Sequence, residues 1–125
     1  MKEKTKIRII IIELILALFL MIPIFLNNYT FFFLIVSNSM NPLIYKNDIV
    51  LVRNSKNNLK DYVGKVVAYY NPINSSIMVH RAVGKNDDFL LTKGDNSSWI
   101  DFYVVPENRV IGDVVFVIKT SKIFK

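Results

Sequence analysis

Residues 63–83, VGKVVAYYNPINSSIMVHRAV, decide the fold of this chain. Both ends of this stretch are rich in β-branched and aromatic residues, which favour extended backbone. The Asn71-Pro72 pair between them is typical of a turn. We therefore predict two strands joined by a turn. Because side chains alternate along a strand, one face of the second strand carries Ile77, Val79, Arg81 and Val83, and the other carries Met78, His80 and Ala82.

Similar apolar runs lie on both sides of this stretch, and each is bounded by turn-forming residues. Strands are predicted at Phe31–Val36, Ile49–Arg53, Phe89–Thr92, Val104–Val105 and Val110–Ile118, with a turn at Gly84–Asp88. No helical period appears after residue 26, and turns recur roughly every 8–12 residues. The sequence thus predicts an all-β domain over residues 31–118, an antiparallel barrel or coiled sheet, followed by a basic tail at residues 119–125.

The N-terminal part of the chain has a different composition. From Ile9 to Leu26, fourteen of eighteen residues are Ile, Leu or Phe, and Glu13 is the only charge. Each apolar residue favours helix insertion by roughly 0.3–0.6 kcal/mol, which together outweighs the roughly 3 kcal/mol cost of one acid. Residues 9–26 are therefore predicted to form a transmembrane anchor. A cleaved secretory signal is the alternative, but it requires small residues at its cleavage site, and Ala17 is the only alanine before Ala68.

The charged residues before this anchor predict its orientation. Residues 1–8 contain three lysines and one arginine against one glutamate, so this flank is expected in the cytoplasm. The β-rich domain then lies outside the cell, or in the lumen of the endoplasmic reticulum in a eukaryote. Most of the net charge of +6 falls in this flank and in the tail, which argues against a nucleic-acid-binding protein.

Composition also limits the chemistry that is available to the chain. It has no cysteine and a single histidine, so neither a disulfide nor a zinc site is expected, and no cofactor is predicted. Asn-x-Ser/Thr triplets begin at Asn28, Asn74 and Asn96, and chance explains them in so asparagine-rich a chain.

Two polar segments could carry nucleophilic catalysis. Ser37-Asn38-Ser39-Met40-Asn41-Pro42 follows a predicted strand, where a serine can present its Oγ beside backbone N–H groups. An ordinary turn explains this segment equally well. His80 offers the imidazole that a serine needs as a base, although a half-buried structural histidine is the alternative. Such a base needs a carboxylate on its other nitrogen, and either Asp95 or Asp101 could supply it.

Taken in chain order, these segments resemble type I signal peptidases. The matching elements are the N-terminal anchor, Ser-x-Ser-Met-x-Pro, Asp48-Ile49-Val50, Gly64-Lys65-Val66-Val67, Val79-His80-Arg81, Lys93-Gly94-Asp95-Asn96 and Asp101. In the domain after the anchor, the resemblance runs from residue 37 to about residue 115. His80 stands where the bacterial branch has a lysine, so the resemblance is to the endoplasmic-reticulum and archaeal branch. After Asp101 many relatives continue with Arg and Gly, whereas this chain has Phe102-Tyr103.

The resemblance implies a role for each site residue. Ser39 would be the nucleophile, His80 its general base and Asp101 the acidic partner. Asp95 would be the second important aspartate. Ser37 would donate its hydroxyl to the oxyanion together with the Ser39 backbone N–H.

The resemblance also implies an activity and partners. The chain would be a membrane-bound serine endopeptidase that removes signal peptides from secretory preproteins and selects small side chains at positions −1 and −3. Its partners would be preproteins and the lipid bilayer, with the protein translocation channel as a further candidate and no nucleic acid. Two alternatives remain open: a Ser-Lys self-cleaving repressor-type protease that uses Lys65 or Lys93, and a non-catalytic membrane-anchored β-domain adaptor.

Overall fold

The computed structural model describes residues 2–25, 30–54 and 58–123. Its helices are α1 (Glu3–Phe25) and α2 (Leu59–Tyr62). Its strands are β1 (Thr30–Leu34), β2 (Ile49–Arg53), β3 (Val66–Tyr70), β4 (Ile77–Asn86), β5 (Phe89–Lys93), β6 (Val105–Pro106) and β7 (Val110–Ile118). Single 3-10 turns lie at Glu107–Arg109 and Thr120–Lys122.

The strands form one antiparallel sheet in the order β1-β2-β7-β3-β4-β5-β6. Its register shifts at Leu51/Val52, Ala68/Tyr69 and Ala82/Gly84. Such bulges bend the bulged strand and increase its local twist. Within the described residues β1 and β6 are the two edges. The prediction of an all-β antiparallel domain is therefore confirmed, with a sheet that stays open.

The predicted strand bounds agree with the structure for β2 and β7 and differ elsewhere. β4 continues through residues 84–86, which pair with β5, so the connecting turn is Asp87-Asp88 and not Gly84–Asp88. The expectation of no helix after residue 26 is wrong for α2. This helix has only four residues, too few to show a helical period in the sequence.

The hydrophobic core consists of two clusters on opposite sides of β3. One contains Ile35, Met40, Ile44, Val50, Val52, Val66, Ala68 and Val79, and the other contains Leu59, Tyr62, Val67, Tyr69, Ala82, Leu90 and Val105. Because alternate residues of β3 enter alternate clusters, this strand is buried on both faces. The predicted alternation along β4 is confirmed, since Val79 packs in the first cluster and Ala82 in the second.

The N-terminal helix α1 includes most of the apolar stretch that the sequence singles out. Among the described residues, no helix combines the length and the apolar character that crossing a membrane requires. This finding does not support the transmembrane anchor predicted at residues 9–26. Leu26 and Asn28, along with the last two residues of the tail, lie outside the described residues.

Candidate active site

Three residues that are far apart in the sequence meet at one point of the fold. Ser39 Oγ lies 3.2 Å from His80 Nε2, and His80 Nδ1 lies 2.7 Å from Asp101 Oδ2. The imidazole thus bridges the hydroxyl and the carboxylate through its two ring nitrogens. This is the arrangement in which an imidazole can take a proton from a serine while a carboxylate fixes its orientation.

The segment that carries Ser39 is fixed at both ends by buried apolar residues. Ile35 and Met40, on either side of Ser39, both pack in the first core cluster. Ser39 therefore lies on a short turn between two anchored points, with its side chain half-buried. The exposed Ser37 hydroxyl lies 3.1 Å from Ser39 Oγ, so the two predicted hydroxyls are neighbours.

The loop after β5 holds the backbone of Ser39 in place. The Asn96 N–H donates to Ser39 O at 2.9 Å, and the Asn96 side-chain amide donates to Asn38 O at 3.1 Å. Gly94 of the same loop is buried against Ser39. A Cβ at position 94 would lie 2.7 Å from Ser39 O and 3.5 Å from His80 Nε2. The loop can therefore come this close to Ser39 only with glycine at position 94, because there is no space for a side chain.

Asp95 does not contact the imidazole. Its carboxylate accepts two hydrogen bonds from Arg81, Nε to Oδ1 at 2.8 Å and Nη2 to Oδ2 at 2.9 Å. Those hydrogen bonds from Arg81 lower the pKa of Asp95. Arg81 also donates to Gly64 O at 2.8 Å. Of the two aspartates that the sequence left open, Asp101 is the one at His80, and Asp95 joins β4 to the loop after β5.

Asp101 is surrounded by hydroxyl groups that sequence reasoning did not identify. Its Oδ2 accepts hydrogen bonds from Thr92 Oγ1 at 2.8 Å and from Tyr69 OH at 3.3 Å. Tyr103 OH lies 2.7 Å from Tyr69 OH. Strand alternation gives a partial indication for Tyr69. Val67 on β3 pairs with His80 on β4, and Tyr69 lies on the same face of β3 as Val67.

The alternative base residues lie elsewhere. Lys93 Nζ donates to Gly94 O at 3.0 Å. Lys65 is exposed and lines a surface pocket together with Arg81. Within the described residues neither lysine is hydrogen-bonded to Ser39. That same part of the chain has no cluster of His, Cys, Asp or Glu suited to a metal ion.

The tail of the chain is hydrogen-bonded to the segment after Ser39. Asp48 is fully buried and accepts hydrogen bonds from the Ser121 N–H at 3.1 Å, the Tyr45 N–H at 2.9 Å and Lys119 Nζ at 3.3 Å. Thr120 adds a hydrogen bond to Asn47 O. A cleft of about 740 Å³ opens at this junction and reaches Asn38, beside the nucleophile.

Two comparisons with known proteins found matches. The model of the Peptidase S24-like family matches residues 16–115. A signal peptidase complex catalytic subunit, SEC11 of Clavispora lusitaniae (strain ATCC 42720), is 37% identical over 79 residues, covering 60% of this chain and 46% of the relative. The chain thus spans about half the length of the curated relative it matches. These findings confirm the predicted resemblance to type I signal peptidases. Since the matched region includes nearly the whole sheet as well as Ser39, His80 and Asp101, the chain belongs to the Peptidase S24-like family.

Proposed function

We propose that this chain is a serine endopeptidase that removes signal peptides from secretory preproteins. The observation that carries the proposal is the continuous contact from Ser39 Oγ through the imidazole of His80 to Asp101 Oδ2. The choice of substrate is supported by the similarity to a protein named as the catalytic subunit of a signal peptidase complex.

The proposed reaction begins with proton transfer from Ser39 to His80. As Ser39 Oγ attacks the carbonyl carbon before the cleavage site, His80 Nε2 takes the hydroxyl proton. His80 then gives this proton to the leaving amine, and an acyl-enzyme ester remains on Ser39. Water attacks the ester with His80 again as base, which releases the acid product and restores the serine. Asp101 accepts the Nδ1–H throughout and stabilises the imidazolium.

The proposed oxyanion site is formed by Ser37 and Ser39. Within the described residues the Ser39 backbone N–H donates no hydrogen bond, so it is available to an incoming carbonyl oxygen. The Ser37 hydroxyl is exposed and lies 3.1 Å from the nucleophile, close enough to serve as a second donor. Donors aimed at a developing oxyanion each lower the barrier by roughly 3 kcal/mol in well-formed sites.

Cleavage of a fluorogenic peptide with small residues at −1 and −3 tests this proposal. Wild type is expected to cleave, and Ser39→Ala and His80→Ala are expected to lose at least about a thousandfold in kcat. Lys65→Ala, on the exposed surface, is the control that should keep full activity. The rival Ser-Lys assignment would be correct if Lys65→Ala or Lys93→Ala abolished cleavage while His80→Ala retained it. Absence of cleavage by folded wild-type protein would refute the peptidase proposal.

The proposed location is a membrane, with the β-rich domain on its extracytoplasmic side, next to the lipid bilayer and the translocation channel. Its support is the apolar composition of residues 9–26 behind a basic flank. Side chains such as Ile12, Leu18 and Phe19 are more than 60% exposed in α1, which leaves an apolar surface to be covered. Membrane fractionation of cells that express the full chain tests it. Recovery of the protein in the soluble fraction would refute this location without affecting the peptide assay.

A further inference from the structure

Asp101 reaches the imidazole from a loop that has little packing of its own. Residues 96–100 are exposed, and the next side chain, Phe102, is 89% exposed. One backbone hydrogen bond, from the Asp101 N–H to Thr92 O at 2.8 Å, ties the residue to β5. Exposed loops with few buried contacts open at low cost in free energy. Something other than the loop must therefore fix this carboxylate.

The side-chain contacts of Asp101 supply that restraint. A single oxygen, Oδ2, faces three donors: His80 Nδ1 at 2.7 Å, Thr92 Oγ1 at 2.8 Å and Tyr69 OH at 3.3 Å. The hydroxyl protons can be assigned without conflict. Thr92 and Tyr69 each donate to the carboxylate, and Tyr103 donates to Tyr69 at 2.7 Å. Each hydroxyl proton thus has an acceptor, and hydrogen bonds to a charged group are the stronger ones.

Rigid strands carry the two hydroxyls that touch the carboxylate. Tyr69 on β3 and Thr92 on β5 are fully buried, and these strands flank β4, which carries His80. The Tyr69 ring meets the imidazole edge-on, with centroids 6.3 Å apart. Burial raises the pKa of Tyr69, so its hydroxyl keeps its proton and stays a donor. The positions of both hydroxyls are therefore set by the sheet, independently of the loop.

We propose that Tyr69, Thr92 and Tyr103 are positioning residues that hold Asp101 Oδ2 against His80 Nδ1. Held there, the carboxylate keeps the imidazole in the tautomer with its proton on Nδ1, which leaves Nε2 free to accept the Ser39 proton. Tyr103 acts at one remove, by orienting the Tyr69 hydroxyl. This inference rests on the proposed peptidase function for its kinetic consequence, and its structural part stands on the contacts alone.

The variants Tyr69→Phe and Thr92→Val remove one hydroxyl each and keep the buried shape. Each is expected to lower kcat about tenfold with KM unchanged, because the lost hydrogen bond orients the base and does not bind substrate. Tyr103→Phe is expected to lower kcat by less, about threefold, since it acts through Tyr69. Tyr70→Phe is the matched control on the same strand; its side chain is exposed, and its kcat should equal that of wild type.

Nitrogen NMR of the imidazole gives a readout that does not depend on activity. The chain has one histidine, so the two ring ¹⁵N signals belong to His80. Wild type is expected to show the Nδ1–H tautomer at pH 8, and the double variant Tyr69→Phe/Thr92→Val should shift population toward Nε2–H. Thermal unfolding of each variant confirms that it is folded.

The two readouts separate the possible failures. If wild type cleaves and the double variant matches it in both kcat and tautomer, the positioning role is wrong. If the tautomer shifts but wild type cleaves no peptide, the peptidase proposal fails while the positioning of His80 stands.

Discussion

Gly94 sets the approach of the loop after β5 to the nucleophile. A methyl group there would lie 2.7 Å from Ser39 O and 3.3 Å from Ser39 Cβ, so one of the two backbones must move. Gly94→Ala is expected to displace Ser39 from His80 and to lower kcat about a hundredfold in the peptide assay, because small misplacements of reacting groups are costly.

Gly84→Ala provides the control for this prediction. A Cβ at position 84 would meet Leu91 Cδ1 at 3.5 Å, an ordinary contact, so activity should stay close to that of wild type. Full activity in Gly94→Ala would show that the close packing is not needed for the reaction.

A substitution at Ser37 tests whether its hydroxyl is part of the proposed oxyanion site. Ser37→Ala is expected to lower kcat about tenfold to a hundredfold with stability unchanged, since the side chain is exposed and the lost donor acts in the transition state. Steady-state kinetics on the fluorogenic peptide measure this effect, with the exposed Ser98→Ala as control. A rise in KM at constant kcat would assign Ser37 to substrate binding.

Between elements, the tail and the segment after Ser39 are joined through Asp48. Burial alone would raise the pKa of Asp48, but hydrogen bonds from Ser121, the Tyr45 N–H and Lys119 outweigh it and lower the pKa to about 2. Because this value is below the ordinary one of about 3.9, the carboxylate stabilises the fold above about pH 4. That contribution, about 2 kcal/mol, is lost as the pH falls toward 2.

Urea unfolding as a function of pH measures this contribution. Asp48→Asn is expected to be less stable than wild type by about 2 kcal/mol at pH 7, and the difference should shrink between pH 4 and pH 2. Asp88→Asn, on the exposed β4–β5 turn, is the control and should unfold like wild type. A difference that stays constant down to pH 2 would mean that charge on Asp48 is not the cause.

How far the sequence predicts these elements depends on the kind of information each one needs. The alternation of side chains along a strand and the positions of turn-forming residues can be read from a short stretch of sequence. For this reason β2, β7 and the two faces of β4 were predictable. Ser39 and His80 were predicted from their chemistry, and Asp101 was preferred over Asp95 through the family resemblance. The Arg81–Asp95 pair and the hydroxyls around Asp101 depend on strand register, including the bulge at Ala82/Gly84, which the sequence does not reveal.

At the scale of the whole molecule, both core clusters share β3, so neither can lose its packing alone. Leu90→Ala in the second cluster and Val52→Ala in the first are each expected to destabilise the entire sheet, by about 2–5 and about 1–3 kcal/mol. Circular dichroism and the His80 NMR signals should report the same transition midpoint in each variant. Two separate midpoints would show that the clusters unfold independently.

The order of strands has a consequence for a chain cut in two. The connection at residues 71–76, exposed from Ile73 onward, divides Ser39 from His80 and Asp101, so each half would hold only part of the site. Yet β7, from the second half, lies between β2 and β3 of the first half, and β4 pairs with β3 on the other side. A nicked chain should therefore remain interlocked, and separately prepared halves should regain activity only by complementation.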